Sequence, residues 1–173
     1  ITSAVFSDSI LRSARLIARA RGIIARGGGS GGVDLDSYRA ADWPTLLGAG
    51  AVRRLHLTKA QVARAFEHTA KADGSDKTFI DMYAALVTPA AIGQNLLGFT
   101  AYNQLRGELA PGAQVIFIGA GGFYSFRGYS YRKTGVFDRL RLIQGAKTLR
   151  LTAAMHRRVE NLAAAGAPEL RDV

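Results

Sequence analysis

The stretch TFIDMYAALVTPAAIGQNLLGFTAYNQLRGELAPGAQVIFIGAGG, residues 78–122, decides the fold class. Its first eleven and its last ten residues are rich in β-branched, aromatic and aliphatic side chains, which predicts two strands. Between them, Thr88 and Pro89 predict a helix start, because proline at the first helical position gives up no N–H that the helix needs. A strand, a helix and a second strand therefore follow one another.

The helical stretch after Pro89 spans residues 90–109, and two of its three glycines are five residues apart in its first half. Gly93 and Gly98 lower the helix propensity of their turns and leave space where a side chain would stand. We expect either a close approach by a neighbouring backbone or a break in the helix at these positions.

Upstream of this stretch the pattern predicts one more strand and two helices. AVRRLHL, residues 51–57, alternates in polarity as a strand does. Thr58 is a suitable N-cap for a helix over residues 59–72. Before the strand, we expect Asp36 or Ser37 to cap a short helix that runs through Trp43 to Leu47. The apolar spacing of the 59–72 helix places four side chains inward: Val62, Ala65, Phe66 and Thr69.

Downstream, residues 136–152 predict a β-hairpin. VFDRLRLIQ and KTLRLT are strand-like, and Gln144 to Lys147 supply the turn. Apolar and charged residues alternate along the first arm, so we expect one side of it to face solvent or a charged partner. The closing stretch AAMHRRVENLAAAG, residues 153–166, resembles a helix in composition.

These elements neither segregate cleanly nor alternate as βαβ units, which predicts an α+β fold with a largely antiparallel sheet and packed helices. Ahead of them, TSAVFSDSILRSARLIARARG has amphipathic helical spacing, and the glycines that follow form a flexible connector. We therefore predict a helix within residues 1–26, a glycine-rich linker at 27–32 and an α+β domain at 33–173.

The composition excludes several classes of chemistry. Cysteine is absent, so disulfides, thiolate nucleophiles, iron–sulfur clusters and cysteine zinc sites cannot form within this segment. His56, His68 and His156 lack metal-type spacing, and we expect ordinary surface or packing roles for them. Neither paired carboxylates nor a Ser–His–Asp set is recognisable, so no catalytic residue is predicted. No apolar run reaches the roughly 18 to 20 residues of a membrane-spanning helix.

The net charge of +10 is unevenly distributed. Residues 1–26 and 127–158 are strongly basic, whereas residues 27–126 are balanced, and arginine far outnumbers lysine. Planar, bidentate guanidinium groups suit phosphates and carboxylates. The distribution is compatible with an anionic cofactor, an acidic partner, nucleic acid or anionic lipid, and also with a genome that favours arginine codons.

The glycines of GAGG, Gly119 to Gly122, follow a predicted strand, as in a dinucleotide-binding turn. Ser125 replaces the third glycine of that motif, and FYSFRGYSY does not look helical, so no dinucleotide site is predicted. Residues 124–133 interleave aromatic rings with cations. Such a stretch is compatible with a single-strand nucleic-acid platform, a surface that stacks on flavin, or an aromatic hairpin with solvated charges.

Three long and unusual strings carry the most specific signal. They are VDLDSYRAADWPTLLGAGAVRRLHLT, TFIDMYAALVTPAAIGQNLLG and YSFRGYSYRKTGVFDRLRLIQ, and GAPELRD follows near the end. In this order they resemble the periplasmic region of the NosR/NirI family. ITSAV looks like the residues after that family's SGAT-type flavin attachment motif, and FSDSILRSARLIARARGI looks like the helix after it.

The resemblance implies FMN joined through its phosphate to the threonine that ends SGAT, immediately before Ile1. Thr2 and Ser3 would add hydroxyl donors beside that phosphate, at the positive end of the first helix. Ser125, Arg127 and Phe137, in the third string, complete the candidate FMN contacts. Iron–sulfur clusters would belong only to other parts of a longer protein.

The resemblance further implies transmembrane helices and a cytoplasmic ferredoxin-like portion, which place this region on the periplasmic side of a bacterial inner membrane. Its expected function is electron transfer toward nitrous oxide reductase, or support of the maturation of that enzyme, so that the reductase or its maturation machinery is the expected partner. The residues alone leave two alternatives open: a basic binding module for nucleic acid or an acidic protein, and a non-redox docking platform. Nucleic acid is the less expected partner.

Overall fold

The computed structural model describes residues 35–65 and 75–170, which belong to one compact unit, Asp34–Val173. The predicted helix within residues 1–26, the linker at 27–32, and Phe66, His68 and Thr69 lie outside the described residues. The described elements, in chain order, are α1 Trp43–Gly48, β1 Val52–Thr58, α2 Lys59–Ala65, β2 Thr78–Leu86, α3 Ala90–Leu97, α4 Phe99–Glu108, β3 Ile116–Gly121, α5 Gly128–Thr134, β4 Val136–Gln144, β5 Lys147–Thr152 and a 3₁₀ turn Ala153–Met155.

β2 is the central strand of a three-stranded antiparallel sheet with the order β1-β2-β3. It pairs with β1 from Val52 opposite Ala85 onward, and with β3 from Leu86 opposite Ile116 onward. β4 and β5 form a separate two-stranded antiparallel sheet, so the predicted hairpin is confirmed. The predicted α+β class with a largely antiparallel sheet is also confirmed.

The hydrophobic core lies on one face of the three-stranded sheet, where helices and the C-terminal segment cover it. Leu96 of α3 is completely buried, and Trp43 of α1 packs edge-on against Tyr83 of β2, with ring centroids 5.1 Å apart. Such edge-to-face contacts add to the stabilisation that burial itself gives. The buried members of this core are Trp43, Leu46, Val52, Tyr83, Ala85, Val87, Leu96, Phe117 and Ala164.

Gly93 and Gly98 have different functions in the helical stretch, and both expectations from the sequence are met. Gly98 has a φ of 79° and separates α3 from α4, a conformation that only glycine adopts without strain. A Cβ at Gly93 would collide with the carbonyl oxygen of Val87 and the ring of Tyr102. Gly93 therefore permits a close approach between the helix and its neighbours, and Gly98 breaks the helix.

Asn95 is buried in α3 and ties the segment before α1 to the core. Its side-chain oxygen accepts a hydrogen bond from the Ala41 amide at 3.0 Å, and its side-chain nitrogen donates to the Arg39 carbonyl at 2.8 Å. The same nitrogen also donates to the carbonyl of Ala91. These bonds replace the hydrogen bonds to water that the side-chain amide loses on burial.

The helix predicted for residues 153–166 is wrong. Only a 3₁₀ turn forms at Ala153–Met155, and the chain then runs on without regular structure. Its backbone groups bond to other segments: the Ala163 amide donates to the Leu96 carbonyl at 2.8 Å, and the Ala165 carbonyl accepts from the Trp43 amide at 2.9 Å. The segment is not helical because these partners and the burial of Ala164 outweigh its helix propensity.

Two further local predictions need correction. Asp42, rather than Asp36 or Ser37, caps α1, since its carboxylate accepts a hydrogen bond from the Thr45 amide at 2.9 Å. Thr58 and Gln61 form the predicted cap at the start of α2, with reciprocal bonds of 2.8 and 3.2 Å. Ala65, expected inside, is exposed at the end of that helix.

The sequence predicts no helix in FYSFRGYSY, but α5 begins at Gly128 and ends at Thr134. Its aromatic and serine residues have weak helix propensity, so the local pattern does not reveal the helix. Packing of α5 against β4 supplies the stabilisation that propensity does not.

Candidate functional site

Four rings pack together where α5 meets the base of the hairpin. We call them the ring cluster: Phe126, Tyr131, Phe137 and His156. The ring centroids of Tyr131 and Phe137 are 4.5 Å apart, and the His156 ring stands edge-on to Phe137 at 5.3 Å. The Tyr131 hydroxyl lies 3.2 Å from His156 Nδ1, within hydrogen-bonding distance. The ring cluster therefore holds α5 and the 3₁₀ turn against the first residues of β4.

Arg139 links the hairpin to the three-stranded sheet. Its guanidinium carbon lies 4.2 Å from the ring centroid of Tyr124, and its Nη1 donates a hydrogen bond to the Ser125 carbonyl at 2.6 Å. Tyr124 in turn stacks on Phe79 of β2 at 5.0 Å. Burial raises the pKa of the Tyr124 hydroxyl, and the positive charge of Arg139 offsets only part of that rise.

Asp138 faces the start of α5 rather than the outer surface of the hairpin. One carboxylate oxygen accepts a hydrogen bond of 3.4 Å from the Ser130 amide. The other oxygen is buried and has no hydrogen-bond partner among the described residues. Any side chain at Gly128 would collide with this carboxylate, so the glycine makes room for it.

A second polar group lies on the three-stranded sheet. Arg54 binds both carboxylate oxygens of Asp81, at 2.7 and 2.8 Å, and the Tyr83 hydroxyl donates to Asp81 at 2.8 Å. Burial raises the pKa of Asp81, but the hydrogen bonds from Arg54 and Tyr83 outweigh burial, so the pKa is below its ordinary value. Burial and the bond to Asp81 raise the pKa of Tyr83 to about 12.

The described residues contain little that suggests bond-breaking chemistry. A cavity of about 380 Å³ lies between residues 159–162 and 167–170 of the C-terminal segment, and neither the ring cluster nor the Arg54 network lines it. Within residues 35–65 and 75–170, no group of three or more histidine, cysteine, aspartate or glutamate side chains is placed to hold a metal ion.

Curated proteins match this chain over almost its whole length. The protein NirI of Paracoccus denitrificans is 36% identical over 174 residues, and that match covers 100% of the chain. The regulatory protein NosR of Stutzerimonas stutzeri is 36% identical over 180 residues and covers 98% of it. The regulatory protein NosR of Pseudomonas aeruginosa is 34% identical over 184 residues and covers 100% of it.

This chain belongs to the NosR/NirI family. The resemblance of the three strings is thereby confirmed. The chain spans about a quarter of the length of these relatives, 25%, 25% and 26% in the same order. No family model matches the chain. No solved structure matches it either.

Three of the five residues that the resemblance assigns to FMN lie close together in this NosR/NirI chain. Ser125 and Arg127 precede α5, and Phe137 belongs to the ring cluster. The Arg127 guanidinium carbon lies 5.9 Å from the Tyr131 ring centroid, and the Arg127 amide donates to the Ser125 hydroxyl at 3.2 Å. Thr2 and Ser3 lie outside the described residues.

The described part of these residues does not fit a flavin-stacking surface. Phe137 is 5% exposed and its ring packs within the ring cluster, so it offers no open face to an isoalloxazine. Ser125 takes part in the internal hydrogen bonds of the segment before α5. The arrangement is that of a packed support, and the assignment of the five residues to FMN remains a prediction.

Sequence reasoning missed the structural importance of Arg139 and Asp138, and it expected for His156 a surface or packing role without indicating its partners. The alternation along β4 contained part of the signal, because Phe137 and Arg139 share one side of that strand and both contact residues outside the hairpin. The contact between His156 and α5 joins residues distant in sequence, and no local pattern indicates it.

Proposed function

We propose that this chain is part of the extracytoplasmic, FMN-associated electron-transfer region of a NosR-type membrane protein, which supports the activity or maturation of nitrous oxide reductase. The observation that carries the proposal is the similarity to NosR and NirI over 98 to 100% of the chain. FMN is attached to the threonine of an SGAT-type motif before the segment that begins with ITSAV, and Thr2 and Ser3 lie beside its phosphate.

In this proposal the described residues form the packed support beside the flavin. The ring cluster and the contacts of Arg139 hold the segment before α5, the hairpin and the central strand β2 together. In a flavoprotein the protein binds and orients the cofactor and tunes its electronics. When bound, FMN supplies the redox chemistry, and the residues of this chain position its surroundings.

The periplasmic location and the membrane anchorage are also proposals, based on family membership. No helix in the described part of the chain is long and apolar enough to cross a membrane. The transmembrane helices and the iron–sulfur clusters of the proposed protein belong to parts outside this segment.

The alternative of a single-strand nucleic-acid platform at residues 124–133 receives less support. Such a platform needs rings that are free to stack on bases. Phe126 is buried, Tyr124 stacks on Phe79 and Tyr131 belongs to the ring cluster. Tyr129, 66% exposed, is the exposed ring in this stretch.

The test uses the longer natural protein, including the region before Ile1, produced in a host that attaches flavin. After unfolding in guanidinium and gel filtration, flavin absorbance should elute with the protein. Replacement of the SGAT threonine by valine should abolish it, whereas Thr2→Val should retain it. Cells carrying the SGAT variant should also lose nitrous oxide reduction.

Two outcomes would contradict the proposal. Flavin that separates from the unfolded wild-type protein would exclude the covalent attachment, and wild-type protein that never contains flavin would exclude the FMN-associated function.

A further inference from the structure

The outer half of the hairpin, residues 141–150, projects from the part of the chain that the structure describes. We call it the hairpin tip. All its residues except Leu142 are exposed, and β5 packs chiefly against β4. By contrast, the base is held by Phe137 in the ring cluster and by a hydrogen bond between the Ala153 amide and the Gly135 carbonyl. The base therefore fixes the hairpin tip in place without covering it.

No ion pair compensates the charges on the hairpin tip within residues 35–65 and 75–170. Arg141 and Arg150 lie directly opposite each other on the paired strands, and like charges in that position destabilise a sheet. Neither arginine, nor Lys147 at the turn, has an ion pair or hydrogen bond with its side chain among the described residues. The single acidic residue between positions 127 and 158 is Asp138, which faces α5.

Ile143 lies on the same face of the hairpin as the two arginines, because it is two residues beyond Arg141 on β4. Leu142 and Leu149 form the next cross-strand pair, whose side chains lie on the opposite face of the hairpin because successive residues of a strand alternate. Leu149 and Ile143 are each 45% exposed. Arginine beside exposed aliphatic side chains is a composition typical of protein interfaces, where the cation selects the partner and apolar contact adds affinity.

We propose that the hairpin tip is a docking surface for an acidic protein surface that also offers apolar side chains. This inference goes beyond the proposed function, because it depends on no flavin and on no residue outside the hairpin. The arginine pair selects negative charge, and Ile143, on the same face of the hairpin, supplies the apolar part of the interface.

Other occupants fit the hairpin tip less well. Residues 139–151 contain no aromatic ring on which bases would stack. The turn itself, Gln144 to Lys147, is polar or small, whereas a hairpin that enters a lipid surface would carry its apolar residues at the turn. A second copy of this chain, with a net charge of +10, would be repelled.

The experiment uses the full 173-residue chain, labelled with ¹⁵N, and a short synthetic peptide that alternates Glu and Leu. The peptide should shift the amide signals of residues 139–151. The double variant Arg141→Glu with Arg150→Glu should bind the peptide about tenfold more weakly, because two attractive contacts with glutamates of the peptide become repulsive. The matched control, Arg53→Glu with Arg64→Glu, changes the net charge equally at two exposed positions elsewhere and should bind nearly as well as the wild type.

Comparison probes decide the class of partner. A peptide that alternates Glu and Ser should bind several-fold more weakly than the Glu and Leu peptide. Phosphatidylglycerol vesicles and an oligothymidine strand should bind the hairpin variant at least as tightly as they bind the control variant. Thermal unfolding of both variants confirms that each is folded.

Three results would overturn the proposal. The first is equal loss of peptide binding in the two double variants, which would indicate general attraction to a basic chain. The second is equal affinity for the two peptides. The third is binding of the vesicles or the oligothymidine, through residues 139–151, that is tighter than binding of the Glu and Leu peptide.

Discussion

In the central strand β2, Tyr83 and Ala85 are buried beneath α1, α3 and the C-terminal segment, whereas in β5 every residue from Lys147 to Arg150 is exposed. Both strands belong to antiparallel sheets with regular pairing. The difference lies in what covers each sheet, since burial of apolar area provides most of the stabilisation and cross-strand pairs add little. We therefore expect substitutions in the first sheet to affect folding and substitutions in the second to affect binding.

The largest effect is expected from a leucine-to-alanine substitution in the core, and the same substitution in the hairpin serves as its comparison. Leu96→Ala removes a completely buried side chain and should lower the free energy of unfolding by about 3 kcal/mol. Leu149→Ala, at a position that is 45% exposed, should lower it by less than about 0.5 kcal/mol. Denaturant unfolding followed by circular dichroism measures both, and similar losses would show that the hairpin shares the core.

An intermediate effect is expected from the Arg54–Asp81–Tyr83 network on the three-stranded sheet. The pKa of Asp81 is lower in the folded chain than its ordinary value of 3.8. The stabilisation is thus complete above pH 3.8 and is lost as the pH falls through the lower, folded-state pKa.

Measurement of the free energy of unfolding against pH tests this expectation. Asp81→Asn should make the decline below pH 3.8 less steep. Asp76→Asn, at an exposed position just before β2, is the control and should leave the slope nearly unchanged. Identical acid profiles for wild type and Asp81→Asn would show that the ion pair contributes nothing to stability.

The smallest effect, and one of opposite sign, is expected in the hairpin. Arg150→Glu replaces a pair of like charges with a pair of opposite charges across from Arg141 and should raise the free energy of unfolding by roughly 0.3 kcal/mol. Arg150→Gln should give part of that gain, because it removes only the repulsion.

The gain should disappear at high salt, where exposed charges are screened. Thermal unfolding at low and high salt measures it. If Arg150→Glu destabilises the chain at low salt, the two arginines do not repel each other. The hairpin would then contribute to stability as the three-stranded sheet does.

The sequence predicts the parts of this fold in which local pattern and tertiary packing agree. β1, β2, β3 and the hairpin have strand composition and turn residues at their ends, and all four were predictable. Gly98 could be identified as a possible helix break because glycine is costly in a helix interior. The predicted helix at 153–166 fails because bonds to Trp43 and Leu96, both distant in sequence, determine its backbone.

The candidate site was predictable in composition but not in geometry. Residues 124–133 indicated a cluster of rings and cations, and the structure places most of these rings inside a packed support. The inward position of Phe137 depends on His156 and α5, so it could not be read from a strand that alternates apolar and charged residues. Asn95 is buried in the structure, but in the sequence it looks like any polar residue on the exposed face of a helix.

The position of the C-terminal segment against α1 and α3 bears on the order of events during synthesis. The bond between the Trp43 amide and the Ala165 carbonyl joins the first described helix to a residue near the end of the described chain. Contacts between such distant residues slow folding, because a long loop must close before they form. The ribosome has therefore made nearly all of this unit before its core can close, and until then the face of the sheet formed by Tyr83 and Ala85 is available to chaperones.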